Sequence, residues 1–445
     1  MIRKQKLPNS LFLPAITLAF YVLGILLPVT VSAQPVLQLV EKELAGQQTQ
    51  YTNWYKKLHA SPEVSTKEIN TAGFLKQEMR AMGFEIVDSL GLHSFAAILK
   101  NGKGPVLLYR TDMDGLPLEE KTGLPFASTT SAMHACGHDI HMSSWMGTAS
   151  MMATLRKQWS GTLVFLAQSA EETAQGAKAV IAAPNFQRVP KPDIQLAFHD
   201  HAELPAGQAG FCDGYSMAAV DMMNITIRGK GGHGAAPEKA IDPVLLASQY
   251  VVAIQSIVSR NLSSNDRAVI TVGAINGGTV GNIIPDQVVL KLTIRSFSQA
   301  SRQLILDRLK TIGDQMARGA GLPEDRLPLY DLLDMSIPSV YNDPALGARL
   351  RNTLTKTLGE GSVAMVPPIM IGEDFGVYGQ TESRIPSYIM WAGTVSPDRK
   401  SKADKGQVEL PSLHSARFAP DYELAIPGAV KVMTVALIDF LGKGK

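Results

Sequence analysis

At 445 residues, with 45% hydrophobic and 18% charged side chains, the chain is long enough for two or three domains and apolar enough to fill their cores, which excludes an extended disordered protein. The net charge of +2, with no Lys/Arg stripe interleaved with aromatics, leaves no footprint for a nucleic-acid backbone. Cys136 and Cys212 are its two cysteines, too few for a disulfide framework.

In chain order, Arg3, Lys4 and Lys6 precede an apolar run from Leu11 to about Val31, closed by Val31-Ser32-Ala33. A basic start, an apolar middle and a small-residue end predict a signal peptide over 1–33, hence an exported protein, periplasmic or secreted. An uncleaved membrane anchor is the alternative that the length of the run allows. Apolar spacing predicts helices over 36–59 and 66–82, then strands over 84–87, 95–99 and 106–109. A helix is predicted over 142–157 and an uninterrupted apolar strand over 163–166. Continuous apolar strands separated by helices predict an α/β catalytic domain, its sheet covered on both faces, with functional residues at strand ends.

Near residue 216 the pattern changes. A strand over 222–228 ends in the glycine-rich stretch 229–234; a helix over 243–259, strands over 268–275 and 288–297, and a helix over 301–318 follow, and a strand over 327–333 completes the sheet. This is a compact α+β unit of the kind that can be inserted into another domain. The expected division is a signal peptide at 1–33, the first part of the catalytic domain at 36–215, the insert at 216–333 and the second part of the catalytic domain at 334–445, ending in a helix over 422–441.

Chemistry concentrates first in Met133-His134-Ala135-Cys136-Gly137-His138-Asp139-Ile140-His141. A thiolate and an imidazole two positions apart in an extended or looped segment can face one borderline-soft divalent cation. The same run also reads as a buried thiol near surface histidines, since it lacks both zinc-finger pairing and the His-Glu-x-x-His spacing. Glu171-Glu172 directly follows the apolar strand, so one carboxylate can bind metal while the other faces substrate; an acidic surface turn is the competing reading. His199 closes an apolar stretch, and Leu413-His414-Ser415 supplies a late histidine. A Cys136–Cys212 disulfide would remove the thiolate that a metal needs.

Seven motifs stand in an order shared with one family: Asp112-Met113-Asp114-Gly115-Leu116-Pro117, the 134–139 run, Ser169-Ala170-Glu171-Glu172, Gly229 to His233, Asn282-Ile283-Ile284-Pro285-Asp286, Gly372-Glu373-Asp374-Phe375 and Leu413-His414-Ser415. The chain resembles the aminoacylase/carboxypeptidase-type binuclear metallohydrolases, most of all the branch of hippurate hydrolases, N-acyl-amino-acid amidohydrolases and indole-acetyl-amino-acid hydrolases. The resemblance implies two divalent ions per subunit, zinc or manganese before cobalt or nickel, held by Cys136, His138, Glu172, His199 and His414, with Glu171 as general base. It implies that Asp112 orients a ligand imidazole, although a turn at the sheet edge is an equal reading of that residue. His233 would steady the oxyanion, often from the partner subunit, with the closing of a glycine-rich turn as its competing reading; Asn282 and Arg295 would hold the substrate carboxylate, although Arg295 on its strand also reads as part of a lid-surface salt bridge; and Glu373 and Asp374 would support the site. The insert would act as a lid and as the surface of a homodimer or higher oligomer.

The implied activity is metal-dependent cleavage of a small N-acyl amino acid to a carboxylic acid and a free amino acid. A dipeptidase or aminoacyl carboxypeptidase of the same fold is the alternative, and a non-catalytic binding protein a more distant one. The usual Cys-Gly-His-Asp-Gly-His-Thr is here Cys136-Gly137-His138-Asp139-Ile140-His141-Met142, and the usual Gly-Leu-His-Val is Ala197-Phe198-His199-Asp200 followed by His201. These departures bear on the shape of the acyl pocket and bring in His201 as a competitor of His199.

Overall fold

The computed structural model describes residues 33–381 and 383–442; apart from Ala33, the expected signal peptide lies outside them. In chain order the elements are α1 (Ala33–His59), α2 (Ile69–Ala81), β1 (Glu85–Val87), β2 (Phe95–Asn101), β3 (Val106–Asp112), α3 (His138–Thr154), β4 (Gly161–Gln168), α4 (Gly176–Ala182), β5 (Ile194–Pro205), β6 (Ala209–Phe211), β7 (Gly214–Met217), β8 (Ala219–Arg228) and β9 (Gly232–His233). There follow α5 (Pro243–Ser256), β10 (Ala268–Asn276), β11 (Ile283–Ile284), β12 (Gln287–Ser296), α6 (Gln299–Gly319), β13 (Leu329–Leu332), β14 (Val340–Asn342), α7 (Pro344–Leu358), β15 (Val363–Met365), α8 (Gly376–Gly379), β16 (Ser387–Val395), α9 (Pro397–Asp404) and α10 (Tyr422–Leu441).

Eight strands form one mixed sheet in the order β1-β2-β4-β3-β5-β16-β6-β15. Its centre is parallel: β3 pairs with β4 and with β5, and β5 with β16. Parallel strands buried on both faces carry unbroken apolar runs rather than alternation, and all nine residues of β16 are buried. On one face a core built on Trp145, Trp159, Phe165, Tyr109 and Leu437 lies under α1, α3 and α10; on the other, Leu108, Val164, Leu166, Ile389 and Tyr378 form a smaller one. Among the described residues α10 is the one helix long and apolar enough to cross a membrane, but most of it is buried in this core.

The second sheet, β10-β12-β8-β13, is antiparallel. Here burial alternates strictly along β8, as one covered face requires. α5 and α6 cover it, and Ile225, Ile227, Leu290, Ile294, Tyr250 and Leu309 fill the space between. This is the α+β insert that the sequence predicts. The expected helix over 142–157 starts four residues early, because Gly137 adopts φ +79° as its N-cap and turns the chain directly into His138. The ligand run is therefore not extended throughout: Cys136 precedes the helix and His138 opens it.

Candidate metal centre

The parallel strands end on one side of the sheet, and the loops leaving them build the site, as open α/β sheets favour. β4 delivers Glu171 and Glu172 just past its end, β3 ends on Asp112, and β5 carries His199. The loop before α3 gives Cys136, and the loop after α9 gives His414. Three backbone positions at the site are forced: Ala170, with φ +55°, Ala174, with φ +57°, and His414, with φ +63°, all lie in the left-handed region. Such strain in non-glycine residues persists where surrounding structure fixes it, and it gathers at functional sites.

Cys136 stands at the junction of two triads whose ligand atoms all lie within 4.8 Å of one another: Cys136, His138 and His199, and Cys136, Glu172 and His414. Its Sγ is 3.5 Å from His199 Nε2 and 3.2 Å from His414 Nε2, and His414 Nε2 is 3.3 Å from Glu172 Oε1. Both cysteines are free thiols. The His138 ring places Nδ1 2.8 Å from the Asp114 carbonyl, and the His199 ring places Nδ1 2.9 Å from the Asp200 carbonyl. A carbonyl only accepts, so each ring donates from Nδ1 and turns the lone pair of Nε2 toward the site.

These residues fit a cation. His138 Nε2 is buried without a hydrogen-bond partner, which is costly unless something outside the protein satisfies it. Burial, with the Glu172 charge beside it, pushes the Cys136 thiol far up; a bound cation reverses that balance and favours the thiolate. Burial also pushes the Glu171 carboxyl far up, helped by Glu373 and Glu172. Its Oε2 is 3.9 Å from His138 Nε2.

The cluster opens on a cleft of about 600 Å³ lined by Glu171, Glu172, His199, Arg295 and His414, with Val220, Met222, Ile337, Ile371 and Trp391 as apolar wall. Arg295 donates Nη1 to the Met370 carbonyl at 2.6 Å. His201 lies on the wall against Trp391, whereas His199 is the histidine beside Cys136. His233 and Asn282 come together elsewhere: β9 pairs with β11, Asn282 accepts from Gly234 N at 2.9 Å, and neither residue lines this cleft. Asp112 does orient an imidazole, but that of His141, at 2.7 Å; His138 Nδ1 is 3.9 Å from the same carboxylate.

Several groups behind the cluster were not assigned from sequence. His141 lies three residues after His138 in α3, a spacing that puts both on one helix face. Burial lowers its pKa, but Asp112 and then Asp200 outweigh that and raise it to about 9. The Asp114 carboxylate accepts the backbone N–H groups of Glu171 and Glu172 at 3.2 and 3.0 Å and so fixes the acidic pair. Arg110, fully buried, donates to Asp112, Glu373, Asp374 and Gln168. The period-two spacing Arg110, Asp112, Asp114 was the available signal, since it puts three charged groups on one face as β3 ends.

Residues 108–416 match the model of peptidase family M20/M25/M40. The chain belongs to that family. M20 peptidases are metal-dependent hydrolases of amide bonds, and the cluster around Cys136 is where this chain can hold metal. The M20 chain is 36% identical over 350 residues to the N-acetylcysteine deacetylase of Bacillus subtilis, covering 78% of this chain and 88% of that one. It is 32% identical over 381 residues to the N-acetyldiaminopimelate deacetylase of Leuconostoc citreum, covering 84% and 92%. Its fold is similar to the crystal structure of a dinuclear metal-binding M20 peptidase from Bacillus subtilis, with TM-score 0.75, 28% identity and coverage of 89% and 99%.

Proposed function

We propose that this M20 chain hydrolyses the amide of a small N-acyl amino acid, with Cys136, His138, Glu172, His199 and His414 holding two divalent cations, zinc or manganese. The observation that carries this reading is Glu171: a buried carboxyl in the cleft wall, its Oε2 3.9 Å from the Nε2 of His138. Bound cations would polarise the scissile carbonyl and acidify the attacking water. Glu171, made more basic by burial, takes the proton of that water and returns it to the leaving amine. Arg295 pairs with the substrate carboxylate through its planar fork. The deacetylase activities named for relatives favour an N-acyl amino acid over a dipeptide, and a binding protein would have no use for Glu171.

The same proposal assigns residues 36–215 and 334–445 to the catalytic domain and 216–333 to a lid. On the lid, Leu245 and Val252 of α5 and Ile275 of the edge strand β10 are 58%, 74% and 56% exposed. A second copy would cover them and bring His233 and Asn282 to its partner's cleft, where His233 would donate to the oxyanion. The N-terminal pattern adds export, which fractionation of cells expressing the full chain would test.

The decisive experiment compares the metal-loaded protein with Glu171→Gln on N-acetyl, N-benzoyl and dipeptide substrates, each with free and blocked carboxylates. Glu171→Gln should keep its metal and lose at least about 100-fold in turnover. Normal turnover by the variant removes Glu171 as base, and equal cleavage of blocked substrates removes the carboxylate clamp.

A further inference from the structure

Asp200 stands where the resembling family has an apolar residue, and it is wholly buried. Its Oδ1 lies 3.1 Å from His199 Nδ1 and 3.1 Å from His141 Nε2. The Asp200 backbone N–H points at the same His141 Nε2 at 2.9 Å, so that nitrogen accepts from the backbone when unprotonated and donates to the carboxylate only when protonated. His141 in turn places Nδ1 2.7 Å from Asp112, which accepts from Arg110 at 2.6 Å. A continuous chain of contacts thus runs from Arg110 through Asp112, His141 and Asp200 to His199, joining β3, α3 and β5. The carboxylate is also wedged against the turn before α3: a Cβ built on Gly137 would meet Asp200 Oδ2 at 2.0 Å.

We propose that Asp200 is a positioning residue that fixes the His199 ring in the tautomer presenting Nε2 to the Cys136 side of the metal centre, and thereby tightens retention of the cation held there. The Asp200 carbonyl alone, 2.9 Å from the same Nδ1, is a neutral acceptor. The carboxylate adds a negative charge 3.1 Å from that nitrogen, beside the hydrogen bond to the carbonyl, which makes the imidazole a stronger donor to metal, and outer partners of this kind typically change affinity about 10- to 100-fold. Its place between two rings from different elements also leaves His199 little freedom to turn.

This inference rests on the ligand set proposed above, and the test separates the two. Cobalt(II) is titrated into chelated full-length protein, and its dissociation constant and the thiolate-to-cobalt absorption are read for the wild type, Asp200→Asn, Asp200→Val, His199→Ala and Cys136→Ala. His199→Ala should lose affinity and Cys136→Ala the absorption; if both behave as the wild type, the ligand set is wrong and this inference falls with it. With those controls as expected, Asp200→Val should bind at least about tenfold more weakly with an altered spectrum, and Asp200→Asn, which keeps an oxygen acceptor, should fall between. Asn and Val variants with wild-type affinity and spectrum overturn the proposal. A merely structural role would lower the denaturation midpoint of the metal-free protein and leave the affinity of the folded fraction unchanged; that result overturns it too. Should Asp200→Val fail to fold, Asp200→Asn alone decides.

Discussion

Replacing Arg110 by Met should be among the most damaging single changes away from the proposed metal ligands. The guanidinium is fully buried and donates to Asp112 Oδ2 at 2.6 Å, Glu373 Oε1 at 3.0 Å, Asp374 Oδ1 at 2.9 Å and Gln168 Oε1 at 3.1 Å. Met keeps most of the volume and removes the charge, leaving three carboxylates buried together. Removing one partner of a buried ion pair costs about 3–5 kcal/mol, against a total stability on the order of 5–15 kcal/mol, so the variant should be marginal at neutral pH.

The loss should also depend on pH in a definite direction. Burial, reinforced by Glu373, already holds the Asp374 carboxyl up at about 7 against the pull of Arg110. Without Arg110 it rises further. A folded pKa raised above the unfolded value means that stability is present at low pH and is lost as pH climbs through the folded pKa. Asp112 adds a deficit that is equal at both pH values: despite burial, His138, His141 and Arg110 hold its carboxyl low in the wild type, a contribution fully present above the unfolded pKa and weakened in the variant. The deficit of Arg110→Met should therefore be larger near pH 8 than near pH 5.5, read from urea unfolding by tryptophan fluorescence in chelator. A variant within about 1 kcal/mol of the wild type at the higher pH, or a deficit that grows toward acid, would refute the reasoning.

Other changes test neighbouring parts of the argument. Gly137→Ala puts a Cβ 2.5 Å from Asp200 Cγ at a φ of +79°, so it should destabilise by at least about 1–2 kcal/mol from backbone strain alone; a melting temperature equal to that of the wild type would contradict this. Cys136 belongs to both triads, so elemental analysis of Cys136→Ala should show loss of both cations, with Cys136→Asp restoring some; one firmly retained ion would argue against a shared ligand. Val252→Glu and Leu245→Glu should turn the proposed homodimer into monomers by light scattering, and an unchanged mass would place the interface elsewhere.

Much of the architecture was legible from local pattern. The uninterrupted apolar runs of β3 and β4 announced a sheet covered on both faces, because burial on both sides is written directly into residue spacing. Element ends were less legible: α3 starts at His138 because one glycine can take a left-handed turn, and no periodicity precedes it.

The candidate site divides in the same way. Cys136, His138, Glu171, Glu172, His199 and His414 could be singled out in the sequence because residue type and motif order carry the chemistry, and the fold brings them together. That Cys136 touches both triads, that Asp112 holds His141 and not His138, and that Asp200 joins His141 to His199 was decided by tertiary structure alone. Those contacts bridge β3, α3 and β5, and a sequence records neighbours along one strand or helix, not which elements a fold brings to the same point. The same reason leaves His233 and Asn282 beside each other on the β9–β11 ribbon and outside the lining of this chain's own cleft, a placement that motif order does not record.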